Sequence, residues 1–293
     1  MSFVDDETEI EASRAPLLEH LVELRRRLIV CALALGCGFI VCFVFSQQVY
    51  ALLTHPFQMA ANLLAEQKLG HRGPFDLVLA VTGIHHPKAA PSALKMVFTA
   101  PLEFFFTKMK LSFFGAIVLT FPVLAWQLYR FVAPGLYRRE RRAFLPFLVA
   151  APVLFVMGAS LVYFVMLPFV LWFSLSQQIN VPGLEVQLLP KVSDYLNLVM
   201  QLLLAFGLCF QLPVVVTLVG SAGLIHADTL SKGRRYAFVG IIVISALVTP
   251  PDMISPFLLA IPIYLLYEVS IWCVRLIEAR RAREESRELA AGG

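Results

Sequence analysis

The chain has 293 residues, of which 59% are apolar and only 15% are charged. An ordinary soluble domain is about half apolar and about a quarter charged, so this composition excludes that class and predicts a membrane protein. The formal net charge is only +4, so its distribution along the chain is more informative than its size.

The N-terminal region has no features of a cleavable signal peptide. Its first 16 residues are polar and acidic, without a short apolar core or a small-x-small cleavage site. Residues 1–27 are predicted to form a cytoplasmic segment that contains an amphipathic helix and continues into the first membrane span. The apolar stripe of that helix consists of Leu17, Leu21, Leu24 and Leu28.

Six apolar runs are candidates to cross about 30 Å of hydrocarbon. They are residues 28–46, 111–129, 144–173, 196–222, 236–250 and 254–274. The fifth is short because Arg235 and Asp252 bracket it, and we expect it to form a tight hairpin with the sixth through residues 249–252. Strand alternation typical of a β-barrel is absent from the sequence. The prediction is a single all-α membrane domain, 1–293, with six transmembrane helices.

Basic residues alternate between the two sides of these spans. Seventeen fall on the side of the N-terminus. They are Arg14, Arg25, Arg26, Arg27, Arg130, Arg138, Arg139, Arg141, Arg142, Lys232, Arg234, Arg235, Arg275, Arg280, Arg281, Arg283 and Arg287. Only seven fall on the other side, mostly in one long loop, 47–107. Both ends, including the tail 275–293, are therefore predicted to be cytoplasmic, and the 47–107 loop periplasmic.

Proline recurs inside the predicted spans, where each residue removes a backbone donor and tends to kink its helix. The set is Pro122, Pro146, Pro152, Pro168, Pro213 and Pro262. Bent helices of unequal length favour a concave, cup-like bundle. In the 47–107 loop, residues 48–66 have near-helical apolar spacing around Pro56 and are expected to lie along the membrane interface.

The sequence predicts no metal site and no cofactor. His71, His85 and His86 fall in a Gly- and Pro-rich stretch and are interpreted as solvated loop residues. The five cysteines lie in apolar runs without CxxC spacing and are interpreted as small packing residues. Nucleotide-binding glycine loops, metal-binding helix motifs and nucleophile elbows are absent from the sequence, so we expect no enzyme.

Two cytoplasmic segments carry an acid among arginines. Glu23 lies in His20-Leu-Val-Glu-Leu-Arg-Arg-Arg-Leu28, and Glu140 lies in Phe131-Val-Ala-Pro-Gly-Leu-Tyr-Arg-Arg-Glu-Arg141. One interpretation of Glu23 is an exposed pair with Arg27, which contributes roughly a few tenths of a kcal/mol. Local charge neutralisation is the matching interpretation of Glu140. The alternative is that both carboxylates belong to a binding surface.

Both strings resemble the signature segments of the TatC family, the large polytopic subunit of the twin-arginine protein translocase. The resemblance runs in order from about residue 17 to residue 275. Three further segments agree, namely Phe105-Phe-Thr-Lys-Met-Lys-Leu111, Phe210-Gln-Leu-Pro213 and Leu247-Val-Thr-Pro-Pro-Asp252. The 66–96 stretch of the outer loop is longer than is usual in the family.

The resemblance implies a receptor for the twin-arginine signal peptides of folded precursor proteins, which organises a translocation complex driven by the proton-motive force. Glu23 and Glu140 then become the carboxylates that accept the two signal arginines. Guanidinium binds carboxylate bidentately and lysine does not, so such a site distinguishes Arg-Arg from Lys-Lys. The surrounding patch would consist of Leu24, Arg25, Phe131, Pro134, Leu136 and Tyr137.

The resemblance also implies partners and a location. The partners are small single-span subunits of the TatA and TatB type, membrane lipid and further copies of this chain in a larger complex, but no nucleic acid. The location is the bacterial inner membrane, as a multi-pass protein with both termini in the cytoplasm.

Polar side chains within the spans form a second candidate site. Gln211 and Glu268 lie at membrane depth, where a polar group is costly unless it is paired or faces a wet cavity. A helix-to-helix hydrogen bond is the alternative for Gln211, and an arginine partner is the alternative for Glu268. The resemblance links the position of Gln211, beside Pro213, to a face that contacts partner subunits. That position is commonly Glu or Gln in the family, and here it carries no titrating carboxylate.

Two other functions are compatible with a polytopic membrane protein. A secondary transporter predicts paired interrupted helices in two repeated halves, and no clear repeat is present. An intramembrane enzyme requires a pairing of Asp, His or Ser at membrane depth, which the sequence lacks.

Overall fold

A computed structural model describes most of the chain, namely residues 3–68, 96–132, 145–181, 184–186, 189–221, 223, 225–249 and 255–291. Its helices are α1 (Phe3–Val44), α2 (Ser46–Lys68), α3 (Glu103–Val132), α4 (Leu145–Leu161), α5 (Leu167–Ser176), α6 (Val192–Cys209), α7 (Leu212–Ser221), α8 (Ala227–Lys232), α9 (Arg234–Val248) and α10 (Ser255–Ala291). A π-helical turn, Val162–Met166, joins α4 to α5. A small antiparallel hairpin pairs β1 (Ile179–Val181) with β2 (Leu184–Val186).

The chain divides into two compact units. The first consists of Met1–Val44 and Ser112–Pro152, and the second of Phe45–Leu111 and Val153–Gly293. Helix α3 therefore contributes its first turns to the second unit and the rest of its length to the first.

Within the described residues, five helical segments are long and apolar enough to cross a membrane. They are Leu21–Val44, Glu103–Phe131, Val149–Ser176, Val192–Ser221 and Leu259–Arg280. The remaining predicted span, 236–250, coincides with α9, which has 15 residues. At 1.5 Å per residue α9 is about 22 Å long, short of a hydrocarbon core of about 30 Å. The count of six spans therefore stays a prediction.

Proline shapes two of these spans. Pro168 has no N–H to donate to the carbonyl four residues earlier. Directly before it the helix widens, and the Leu167 N–H bonds to the Val162 carbonyl in the five-residue spacing of a π-turn. Pro213 follows a clear break, because α6 ends at Cys209 and α7 begins at Leu212. By contrast, α2, α3, α4 and α10 continue through their prolines.

The core of the second unit is built from aromatic and branched side chains. Phe155 and Phe206 are at most 1% exposed, and they pack where Gly158 and Gly207 let the helices approach. The apolar face of α2 packs against α5, and its Leu53, Phe57 and Ala60 are buried. One face of α2 is thus covered by protein, and the interfacial position expected for residues 48–66 stays a prediction.

Most hydroxyl side chains in the spans donate a hydrogen bond to a backbone carbonyl of their own helix. Thr120 donates to the Ala116 carbonyl at 2.7 Å, and Ser270 donates to the Leu266 carbonyl at 2.7 Å. Thr249 makes the same bond to the Ser245 carbonyl at 2.9 Å. Such bonds remove the cost of burying a hydroxyl in an apolar environment without requiring a partner helix.

The segment before α3 is hydrogen-bonded to the start of α6. The Val97 N–H donates to the Pro190 carbonyl at 3.2 Å, and the Val192 N–H donates to the Val97 carbonyl at 2.9 Å. The Glu103 carboxylate accepts hydrogen bonds from the Thr99 N–H at 2.9 Å and from the Ser193 hydroxyl at 2.5 Å. We call this set of contacts, 97–103 against 190–193, the strap.

Two sequence predictions lie outside the described residues. The 66–96 stretch is described only at its ends, so His71, His85 and His86 fall outside it. The predicted hairpin connection at residues 249–252 is described only at Thr249.

Candidate functional site

Glu23 lies on α1 in direct contact with Arg27, one turn later. The Arg27 Nε donates to Glu23 Oε1 at 3.1 Å, and Arg27 Nη2 forms a salt bridge with the same oxygen. The Arg27 side chain is only 16% exposed, whereas that of Glu23 is 35% exposed. The pair expected from the spacing is present, but its arginine is largely buried.

Arg27 also joins α1 to the last turns of α3. Its Nη1 donates to the backbone carbonyl of Gln127 at 3.3 Å, across 100 residues of sequence. One guanidinium therefore contacts both the Glu23 carboxylate and a backbone carbonyl in the second-last turn of α3. Glu23 is fixed beside the end of α3 rather than moving freely in solvent.

Small residues allow α1 and α3 to pack closely within the first unit. A Cβ added at Gly38 would lie 2.8 Å from the Thr120 methyl, and one at Gly115 would lie 2.9 Å from the Cys42 sulfur. Helix interfaces in membranes use small residues in this way, since backbones then approach and dispersion contacts increase. This packing is what brings Arg27 within reach of Gln127.

The remaining described patch residues lie in the middle of α1 and in the last turn of α3. Leu24 is half-buried and Arg25 is exposed on α1. Phe131 is half-buried at the end of α3, beside Arg130, whose guanidinium stacks 5.9 Å from the Trp126 ring. The last two turns of α3 thus carry the rings of Trp126 and Phe131 and the cation of Arg130.

Four predicted site residues lie outside the described residues. Helix α3 ends at Val132, and description resumes at Leu145. Pro134, Leu136, Tyr137 and Glu140 fall in this gap, so their part in the candidate surface rests on the sequence.

Gln211 lies at the break between α6 and α7. The Gln211 N–H donates to the Leu208 carbonyl at 2.9 Å, and its own carbonyl accepts from the Val215 N–H at 2.9 Å. Because Pro213 cannot donate to the carbonyl of Cys209, the helical ladder is interrupted there. The half-buried amide side chain of Gln211 therefore lies at the break in the helical ladder.

Glu268 has the arginine partner that was the alternative to a site role. Its carboxylate accepts from Arg234 at 2.8 Å and from the Tyr264 hydroxyl at 3.1 Å. Arg234 is the first residue of α9, so the pair joins α9 to α10. The pair with Arg234 therefore explains Glu268 as a structural link between α9 and α10.

Sequence reasoning missed two contacts that define local geometry. The Gln127 carbonyl that receives Arg27 has no signal in the residue pattern, because any residue offers a backbone carbonyl. Glu103 lies just before a family-like string and was not singled out, although it accepts most of the bonds of the strap. Among the described residues, no three His, Cys, Asp or Glu side chains are grouped to hold a metal ion.

A sequence profile described as "TatC: Sec-independent protein translocase protein (TatC)" matches residues 19–262. The chain belongs to the TatC family. A TatC relative from Magnetococcus marinus is 40% identical over 277 residues, covering 94% of this chain and 90% of that protein. The TatC protein of Escherichia coli K12 is 34% identical over 271 residues, covering 92% of each. Both are named Sec-independent protein translocase protein TatC.

Two solved structures agree with the fold. The crystal structure of a twin-arginine translocase receptor TatC has a TM-score of 0.67 and 31% identity, covering 88% of this chain and 99% of that one. A second, in the detergent DDM, has a TM-score of 0.68 and 32% identity, covering 86% and 98%. The resemblance and the all-α membrane fold predicted from sequence are confirmed. As a TatC-family member, the chain is a multi-pass membrane component of a protein translocase, not an enzyme.

Proposed function

We propose that this chain is the twin-arginine signal-peptide receptor of a bacterial inner-membrane translocase, with both termini in the cytoplasm. The supporting observation is the position of Glu23, which Arg27 holds beside the end of α3 through the Gln127 carbonyl. The α3 end leads directly into the segment that carries Glu140. Two solved relatives are named twin-arginine translocase receptors.

The two signal arginines bind the carboxylates of Glu23 and Glu140. A carboxylate has two oxygens and about four acceptor positions, so Glu23 can keep its contact with Arg27 while accepting a second guanidinium. An exposed ion pair contributes about 0–1 kcal/mol, whereas bonds in a partly desolvated site are stronger.

The neighbouring side chains contribute shape and apolar contact. Leu24 and Phe131 are half-buried and offer surface to the apolar part of the signal peptide. Arg25 is exposed and sets the positive field around the acids. In this proposal Pro134, Leu136 and Tyr137 complete the patch from the segment after α3.

A second surface receives the small single-span subunits. We assign it to the break at Gln211 and Pro213, where an amide side chain and an interrupted helical ladder lie between two apolar helices. A polar group of a partner helix gains a hydrogen bond there that lipid cannot supply. The proton-motive force then drives movement of the folded precursor through an assembly of these subunits and further copies of this chain.

Site-specific crosslinking tests the receptor surface. A photoreactive group at position 24, which leaves Glu23 in place, is expected to crosslink a twin-arginine signal peptide and not its Lys-Lys counterpart. Glu23→Gln and Glu140→Gln, probed from position 24, should each reduce crosslinking at least about tenfold, as expected for loss of a charge-assisted bidentate pair.

Asp228→Asn is the matched control. Asp228 is an exposed acid in the first turn of α8, on the side predicted to be cytoplasmic. Its crosslinking should equal that of the unmodified protein. If both glutamine variants bind the peptide as well as the control does, the assignment of the carboxylates is wrong.

A further inference from the structure

A cavity of about 330 Å³ lies in the second unit, between α2, the strap and the first turn of α3. A single water molecule needs roughly 15 Å³, so the cavity admits a group of several heavy atoms. Half of its eight lining residues are aromatic, namely Tyr50, Phe57, Phe98 and Phe104, and no described residue that lines it is charged. It is therefore an uncharged pocket with aromatic walls.

Three of these rings meet at an angle. The centroid of the Phe104 ring lies 6.3 Å from that of Tyr50 and 6.3 Å from that of Phe98. The corresponding ring planes are inclined by 60° and 48°, so the rings form a corner instead of a flat stack. A group seated in this corner can lie within about 6 Å of more than one ring centroid, which is the range of cation–π attraction.

Packing and backbone hydrogen bonds hold the walls of the cavity in place. Phe57 is only 1% exposed, and its ring packs against that of Tyr195 with 5.5 Å between the centroids. Phe98 directly follows Val97, whose N–H and carbonyl both bond to residues 190–192. The floor and the strap wall therefore have fixed positions, and this lowers the ordering cost of binding a ligand.

Lys191 and Glu103, which adjoin lining residues in sequence, offset each other's charge. The Lys191 ammonium lies 3.4 Å from the Glu103 carboxylate. Lys108 lies one turn after Phe104 and is not among the lining residues. The ring faces that line the cavity carry the negative part of the aromatic quadrupole, so they attract a cation and repel an anion.

We propose that this cavity binds a quaternary ammonium group, as carried by choline and by the phosphatidylcholine headgroup. The methyl groups make apolar contact with the rings and with the side chain of Met96, and the charge is attracted by the ring faces. Primary ammonium groups and metal ions are more strongly hydrated, and an uncharged pocket does not replace the water that they lose. Gln58, which is exposed at the rim, offers its amide to the hydroxyl or phosphate end of the ligand.

Comparison of choline with a neutral isostere tests the need for a positive charge. The full chain, purified in a maltoside detergent, is titrated by calorimetry with choline and with 3,3-dimethylbutan-1-ol, in which a carbon replaces the nitrogen. We expect choline to bind about tenfold more tightly, as for cation–π contacts with more than one ring. Equal binding of the two compounds, or no saturable binding of choline, would overturn the proposal.

Leucine variants assign the binding to the aromatic corner. Phe98→Leu and Phe104→Leu each keep an apolar side chain but remove one ring, and each should weaken choline binding about fivefold. Phe105→Leu is the matched control, because Phe105 is adjacent to Phe104, is equally exposed at 49% and does not line the cavity. It should leave choline binding unchanged. Equal losses in the Phe104 and Phe105 variants would place the ligand outside the cavity and contradict the proposal.

Lipid competition identifies the source of the ammonium group. The cavity lies before the span of α3, in the loop predicted to be periplasmic, so lipid headgroups and dissolved choline both have access to it. If the ligand is a lipid headgroup, phosphatidylcholine in mixed micelles should displace choline and phosphatidylglycerol should not. Choline that stays bound in the presence of either lipid identifies a soluble ammonium compound as the ligand. Equal displacement by both lipids would show that the ammonium group is not recognised, and the proposal would be wrong.

Discussion

The phenol of Tyr163 donates a hydrogen bond of 2.8 Å to the backbone carbonyl of Leu52. That carbonyl is the one four residues before Pro56, which has no N–H to offer it. The Tyr195 phenol donates at 2.7 Å to the next carbonyl, that of Leu53. The Tyr163 phenol therefore replaces the bond that the proline removes from α2. Together the two phenols fix α2 against the π-turn and α6.

Removing these phenols is expected to loosen α2. Tyr163→Phe and Tyr195→Phe should each lower the free energy of unfolding by about 1 kcal/mol, because each removes one hydrogen bond to the backbone of α2. Thermal unfolding in detergent measures the loss, and hydrogen exchange should increase around residues 52–57. Tyr236→Phe is the control, since that side chain is 70% exposed. Unchanged exchange in α2 would contradict the role of the two phenols.

Close helix packing in the second unit predicts a strong effect of added methyl groups. A Cβ at Gly207 would lie 2.5 Å from the Phe155 ring, and one at Gly158 would lie 2.7 Å from the Phe210 ring. Alanine at either position should cost about 1–3 kcal/mol, since the rings are packed and have little room to move. Gly240→Ala should be neutral or slightly stabilising, because nothing lies within 4 Å of its added Cβ. Equal melting temperatures for all three variants would refute this packing.

A charge swap separates the structural role of Glu23 from its proposed binding role. Glu23→Arg and Arg27→Glu each leave two like charges one turn apart and should lower thermal stability slightly. The double variant restores an opposite-charge pair and should recover part of the stability. Twin-arginine peptide crosslinking should stay lost in it, because position 23 then carries a cation. Recovery of crosslinking together with stability would show that only the pair matters.

The strap depends on the carboxylate of Glu103. Glu103→Gln keeps the shape but removes the charge, so the bonds from Thr99 and Ser193 weaken and the pair with Lys191 is lost. Limited proteolysis should then cut faster within residues 96–102. Asp194→Asn changes a neighbouring exposed acid and should leave the cutting rate unaltered. If the Glu103 variant resists protease as the unmodified chain does, the backbone bonds of Val97 suffice for the strap.

Much of the site was predictable because its signals are local. The spacing of Glu23 and Arg27 predicts a one-turn pair on a helix, and that pair is present. Arginine at the span ends also made a partner for Glu268 a reasonable expectation, and Arg234 supplies it. Pro213 lacks a backbone donor, so a disturbed helix near Gln211 was predictable, whereas the four helices that continue through their prolines show that a full break was not.

The contacts that position these groups were not predictable. The bond from Arg27 to Gln127 spans 100 residues, and that from Tyr163 to Leu52 spans 111. Their acceptors are backbone carbonyls, which every residue has, so no residue type marks them. The packing of α2 against α5 was not predictable from residues 48–66, since an apolar helix face suits lipid and protein equally well.

The sequence by itself determined that the chain lies in a membrane, that it is helical and which family it belongs to. These properties follow from composition, charge asymmetry and short strings of neighbouring residues. It also supplied the acids and arginines of the candidate surface. Only the tertiary structure decided that Arg27 ties Glu23 to the end of α3 and that two phenols secure α2. Such contacts depend on which helices lie side by side, and that is set by packing over the whole chain.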